Sequence, residues 1–201
     1  MGGPASAIKR RLFELARSME FLDPVTGCGP PSERALSGLL ALYGQQGLID
    51  WRQVPVCRPE TLDPAGNLGT FIGSSGSYVT EYPLLHHDNS QERMWGWMAA
   101  DVMYIPGSSG SLVMFENKVG SDFHYEADPA TSQLARQLEY LSDVRKRYER
   151  AVLILLTGRE FVEANWYKTE LAEALNYGSR STMIGGFLVF WEDVFRAKRA
   201  G

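Results

Sequence analysis

Asp101-Val102-Met103-Tyr104-Ile105-Pro106-Gly107-Ser108-Ser109-Gly110-Ser111-Leu112-Val113-Met114-Phe115-Glu116-Asn117-Lys118 is the stretch on which the reading of this chain turns. Residues 102–105 and 111–115 are apolar runs of strand length. The Pro-Gly-Ser-Ser-Gly-Ser between them supplies the flexible residues a tight connection needs. Antiparallel pairing of the two runs brings Asp101 and Glu116 to the same end of a hairpin. Side chains alternate along a strand, so Glu116 and Lys118 share one face and Asn117 takes the other. Two carboxylates and an ammonium then occupy one small volume. A hard cation such as Mg²⁺ prefers that oxygen pair, and the lysine is placed to steer a phosphate or a water.

The bulk composition bounds what such a site can belong to. With 201 residues, 44% of them hydrophobic, the chain is long enough for one domain with its own core. A net charge of −4 argues against a globally basic nucleic-acid binder, yet an acidic metal site needs compensating cations only locally. Cys28 and Cys57 have no CxxC spacing, so neither a disulfide framework nor a zinc site is indicated. No signal peptide reads at the start, and the longest aliphatic run, 151–156, is too short to cross a bilayer. A reduced, cytoplasmic chain is expected. Neither a G-x-S-x-G elbow nor a GxxxxGK[ST] phosphate loop occurs, which counts against serine hydrolases and P-loop enzymes.

Outward from the hairpin the chain alternates helix and strand. Residues 5–20 carry Ile8, Leu12, Leu15 and Met19 on one helical stripe. After a break at 27–31, Ser32 caps a second helix with Glu33 in its first turn and Leu36, Leu39, Leu40 and Tyr43 as the face to bury. Residues 44–76 are rich in Gly, Pro and polar side chains, with one strand expected at 53–57. Residues 77–85 and 93–105 read as strands that complete a three-stranded meander with the hairpin. Asp128-Pro129 starts a helix running to about Tyr148, with Leu134, Leu138, Leu141 and Val144 on its apolar stripe and Gln133, Gln137 and Tyr140 beside it. Residues 151–156 form a strand suited to burial on both faces. A helix over 163–177, a strand over 186–191 and a terminal helix from Glu192 complete the order. The expected class is α/β, a mixed central sheet flanked by helices.

The spacing Asp101, a hairpin's length, then Glu116-Asn117-Lys118 resembles the PD-(D/E)xK nuclease superfamily, whose core motif Asp101, Glu116 and Lys118 fill residue by residue. Ala100 stands where the motif's proline would be. The Gln137-Leu138-Glu139-Tyr140 helix and the closing Trp191-Glu192-Asp193-Val194 resemble elements found after the motif in that superfamily. The resemblance covers residues 32–199 through short motifs. It implies a restriction-endonuclease-like core over 32–199 within a single domain 1–201, residues 1–31 being an accessory helix. It further implies Mg²⁺, with Mn²⁺ as a substitute, on Asp101 and Glu116. The Asn117 carbonyl would be a further ligand, Glu33 would lean toward the metal, and Gln137 would contact the site.

Phosphodiester hydrolysis of DNA is the expected reaction, Lys118 positioning the water. Arg136, Arg145, Lys146 and Arg147 are the candidate phosphate contacts, although cations at a helix C-terminus are also favourable there without any ligand. With no recognition domain legible, targeting is expected from a partner protein or a homodimer. Two other classes stay open. One is a catalytically silent DNA- or protein-binding module on the same fold. The other is a different metal-dependent hydrolase drawing on His86, His87 and His124.

Overall fold

A computed structural model describes residues 4–22, 32–84, 99–119, 133–163 and 184–199. In chain order the elements are α1 (Pro4–Ser18), α2 (Glu33–Gln45), β1 (Pro55–Cys57), β2 (Pro64–Asn67), β3 (Gly76–Pro83) and β4 (Ala99–Pro106). They continue with β5 (Ser111–Asn117), α3 (Gln133–Val144), β6 (Arg150–Thr157), α4 (Arg159–Glu163), β7 (Gly185–Phe190) and α5 (Trp191–Ala197). The expected helix over 163–177 and the histidines at 86, 87 and 124 lie outside the described residues.

Seven strands form one mixed sheet in the order β2-β1-β7-β6-β5-β4-β3. The meander β3-β4-β5 is antiparallel, and the short connection at 106–111 enforces this between β4 and β5. β5, β6 and β7 run parallel. β5 and β6, at the sheet's middle, are buried along nearly their whole length. Their sequences, Ser-Leu-Val-Met-Phe-Glu-Asn and Arg-Ala-Val-Leu-Ile-Leu-Leu-Thr, show no polar alternation because both faces are covered. Glu116 therefore sits in a strand with no solvent face.

α2 is started by Ser32, whose hydroxyl accepts the Ala35 N–H at 3.2 Å, a cap worth about 1 kcal/mol. The helix buries Leu36, Ser37, Leu40 and Ala41, while Leu39 and Tyr43 are only partly covered. On α1, Leu12, Phe13 and Ala16 are buried, and with Phe21 they belong to the same core as the sheet. Phe21 meets Tyr43 edge-on with centroids 5.1 Å apart and also packs on Trp191 and Phe195.

Two details differ from the sequence reading. The segment 44–76 holds more than the one expected strand: besides β1 it contains β2 and two 3₁₀ turns, Trp51–Gln53 and Leu68–Thr70. β1 is fixed by antiparallel pairing to β7, and β2 by pairing to β1, partners remote in sequence that local propensity does not register. Pro64 opens the edge strand β2, a position where its missing N–H costs nothing. The α3 helix also ends earlier than Tyr148, at Val144, and tightens into a 3₁₀ turn, Arg145–Arg147.

Leu155 on β6 is fully buried and pairs in register with Glu116 on one side and Leu188 on the other. Leu155→Ala is expected to cost about 2–5 kcal/mol through the cavity it leaves. Urea unfolding should show a lowered midpoint at unchanged slope; an unmoved midpoint would mean that β6 is not the centre of the core.

Candidate active site at the end of the hairpin

The β4–β5 register runs Val102↔Phe115, Met103↔Met114 and Tyr104↔Val113. One step further along the ladder sets Asp101 opposite Glu116. Residues directly opposite project to the same face with Cβ atoms about 5 Å apart. The Asn117 N–H donates to Asp101 Oδ2 at 2.7 Å, fixing the aspartate across the end of the hairpin.

Glu116 is held from three sides. The Lys118 ammonium lies 2.8 Å from its Oε1. Gln133 Nε2 donates to the same oxygen at 2.7 Å, and Gln137 Nε2 donates to Oε2 at 2.6 Å. Gln133 also accepts from Lys118 Nζ at 3.0 Å, closing a ring of carboxylate, ammonium and amide. Glu116 is 2% exposed, Lys118 7% and Gln137 not at all. Burying a carboxylate and an ammonium in a strand of the core is costly unless each is paired and hydrogen-bonded, and here both are.

Asn117 points the other way, as alternation demands. Its amide donates to the Glu33 carbonyl at 2.8 Å and to Ser37 Oγ at 3.2 Å, and its oxygen accepts the Trp191 indole N–H at 2.8 Å. This buried knot ties β5 to the start of α2 and to α5. Glu33 reaches over the end of the sheet, where its Oε1 accepts the Val119 N–H at 2.7 Å.

The Asp101 carboxyl is pushed up to about 7. Burial is the largest cause, followed by repulsion from Glu116, with a smaller contribution from Glu33; the Asn117 N–H and Lys118 pull the other way. Two acids forced together in a poorly solvated corner are what a divalent cation relieves.

The donor set accommodates such a cation. A carboxylate has about four lone-pair sites. The hydrogen bonds above take three on Glu116 and one on Asp101 among the described residues. Each acid thus keeps acceptor capacity for a shared ion. No group of three or more His, Cys, Asp or Glu side chains converges among the described residues, so water would fill most of the coordination sphere, as Mg²⁺ tolerates. The Asn117 side chain is committed elsewhere and is not part of this set.

The remaining candidates separate cleanly. Gln137 touches Glu116 as expected, and Gln133 does so too while also engaging Lys118. The i, i+4 spacing that puts both amides on one face of α3 was the signal for the pair. Arg136 lies half-buried in the first turn of α3. Arg145, Lys146 and Arg147 are exposed in the turn that ends α3, beside the hairpin tip where the Glu149 N–H meets the Gly110 carbonyl. Twelve helical residues, about 18 Å, separate that basic turn from Gln133. Ser37, which bonds Asn117, carried no signal beyond its place in a helix pattern, and Trp191 was read only as part of the closing Trp191-Glu192-Asp193-Val194 stretch, not as a partner of Asn117.

Compared with known proteins, the chain matches no family model, no curated protein and no solved structure.

Asp101 yields a stability signature in the absence of metal. Its carboxyl titrates higher in the folded chain than in the unfolded one, so its contribution is fully present below about pH 4 and is lost as pH rises through 7. Asp101→Asn keeps an acceptor for the Asn117 N–H and removes the charge. In EDTA the variant should gain stability over the natural chain between pH 5 and pH 8, by roughly 1.4 kcal/mol per unit of displaced pKa. Urea midpoints at both pH values check this; a variant less stable at pH 8 than the natural chain would refute the crowding of charge.

Proposed function

We propose that this chain is a divalent-cation-dependent nuclease with a restriction-endonuclease-like core, hydrolysing phosphodiester bonds of DNA. One observation carries the reading. Asp101 and Glu116 face the same side at the open end of the β4–β5 hairpin, and the Lys118 ammonium is hydrogen-bonded to Glu116 inside the protein. The order of hairpin, glutamine-bearing helix α3 and buried parallel strand β6 supports the fold assignment.

Asp101 and Glu116 would hold Mg²⁺ or Mn²⁺. Bound there, the ion would lower the pKa of a coordinated water and offset negative charge on the phosphate. Gln133 and Gln137 fix the orientation of Glu116, so that its oxygens do not have to be ordered at the moment of reaction. Lys118 adds a positive charge beside the acids, placed to orient the attacking water and to stabilise charge that develops on the phosphoryl oxygens. The exposed Arg145–Arg147 turn offers phosphate contacts to the flank of a duplex rather than to the scissile group, given its distance along α3. A net charge of −4 gives the chain little non-specific attraction to DNA, so targeting would fall to a partner protein or a second copy of the chain.

Incubation with supercoiled, linear and single-stranded DNA and with RNA, in Mg²⁺, Mn²⁺ or EDTA, tests the proposal. Cleavage of DNA should require the cation. Glu116→Gln should abolish it, and Lys118→Ala should slow it by about 10²–10³-fold, the cost of removing one preorganised charge stabiliser. DNA retained without cleavage, equally by the natural chain and Glu116→Gln, would point instead to a silent binding module. Activity lost on replacing His86, His87 and His124 but kept in Lys118→Ala would move the chemistry to another site.

A further inference from the structure

A cleft of about 630 Å³ opens on the opposite face of the sheet from Glu116, at the hairpin-tip end. Tyr104, three residues along β4 from Asp101, points into it, and strand alternation puts those two side chains on opposite faces. The cleft lies among the last turn of α2, the 3₁₀ turn Trp51–Gln53, the segment Gly73-Ser74-Ser75-Gly76 and Arg199. Its volume falls in the range of small-ligand sites.

Two features of its lining point to a ligand. The ionised groups are Asp50, Arg52 and Arg199, two cations to one anion in a chain of net charge −4. Arg52 Nε and an Arg199 terminal nitrogen lie 3.1 and 3.0 Å from Asp50, so one carboxylate organises both guanidinium groups, which remain more than half exposed. They hold that carboxyl well below its usual range, Arg52 contributing most.

The Gly73–Gly76 segment is held in place without using the amides at its tip. Tyr104 Oη accepts the Gly73 N–H at 3.0 Å and donates to the Ser75 carbonyl at 3.0 Å. Ser74 and Ser75 N–H donate to no backbone carbonyl among the described residues. A Cβ on Gly76 would run into the Tyr104 ring, so the close approach needs glycine there.

The Trp51 and Tyr78 rings form one wall of the cleft, within 21° of parallel with centroids 6.1 Å apart.

We propose that this cleft binds a small planar organic molecule bearing a phosphate, the chemistry of a nucleoside monophosphate. Arg52, Arg199 and the Ser74 and Ser75 amides take the oxyanion, since guanidinium forks and unused backbone N–H groups are matched to phosphate oxygens. The organic part lies along the Trp51–Tyr78 wall. The site is independent of the proposed nuclease centre.

Calorimetric titration of the full chain in EDTA with adenosine monophosphate, ribose 5-phosphate and inorganic phosphate tests this. Adenosine monophosphate should bind tightest and inorganic phosphate weakest. Arg199→Gln should weaken adenosine monophosphate by about tenfold or more, the scale of a charge-assisted hydrogen bond. Glu116→Gln should leave the affinity unchanged. The proposal is overturned if no nucleotide binds at millimolar concentration, or if Arg199→Gln binds as tightly as the natural chain. It is equally overturned if ribose 5-phosphate matches the nucleotide, or if Glu116→Gln abolishes binding.

Discussion

The pairing of β4 with β5 is the constraint on which the rest of the site depends. Its register places an aspartate opposite a glutamate at the end of the hairpin, where two negative charges share little solvent. A shift of one residue would send Glu116 and Lys118 to the α2 face and Asn117 to the α3 face, dismantling both hydrogen-bonded groups together. Register is defended from both sides. Gln133 and Gln137 hold Glu116 on one face, while Ser37, Glu33 and Trp191 hold Asn117 on the other. Neither network would survive a slip.

The energetics of the corner explain why so many polar groups attend one carboxylate. An ammonium 2.8 Å away offsets the charge of Glu116, and two amides supply the hydrogen bonds that water would give outside. Asp101 receives one N–H and keeps the penalty, which shows as a carboxyl titrating near neutrality. The unrelieved charge is thus concentrated on the aspartate. Glu116 is compensated within the protein, while Asp101 is left with little counter-charge of its own.

Much of this was legible in the sequence because it depends on periods and short spacings. Two apolar runs around Pro-Gly-Ser-Ser-Gly-Ser specify the hairpin, alternation assigns Glu116 and Lys118 to one face, and Ser32 marks the start of α2. The features that stayed hidden depend on contacts between distant segments. β2 is built from Pro-Ala-Gly-Asn, residues with no strand preference of their own, and exists because β1 offers it a ladder. The basic run at 145–147, read as the C-terminal end of the glutamine-bearing helix, does lie at that end, in a 3₁₀ turn that the pattern did not show. Of the two glutamines the pattern favoured Gln137 alone, and the structure sets Gln133 on Glu116 as well.

The central claim is that Asp101 and Glu116 share one divalent ion. Paramagnetic broadening of amide NMR signals by substoichiometric Mn²⁺ tests it most directly. Signals of residues 101, 116, 117 and 118, with the side-chain amides of Gln133 and Gln137, should broaden first in the natural chain and stay sharp in a chain carrying Asp101→Asn and Glu116→Gln. Broadening centred elsewhere, or unchanged by that double substitution, would contradict a shared ion at this site.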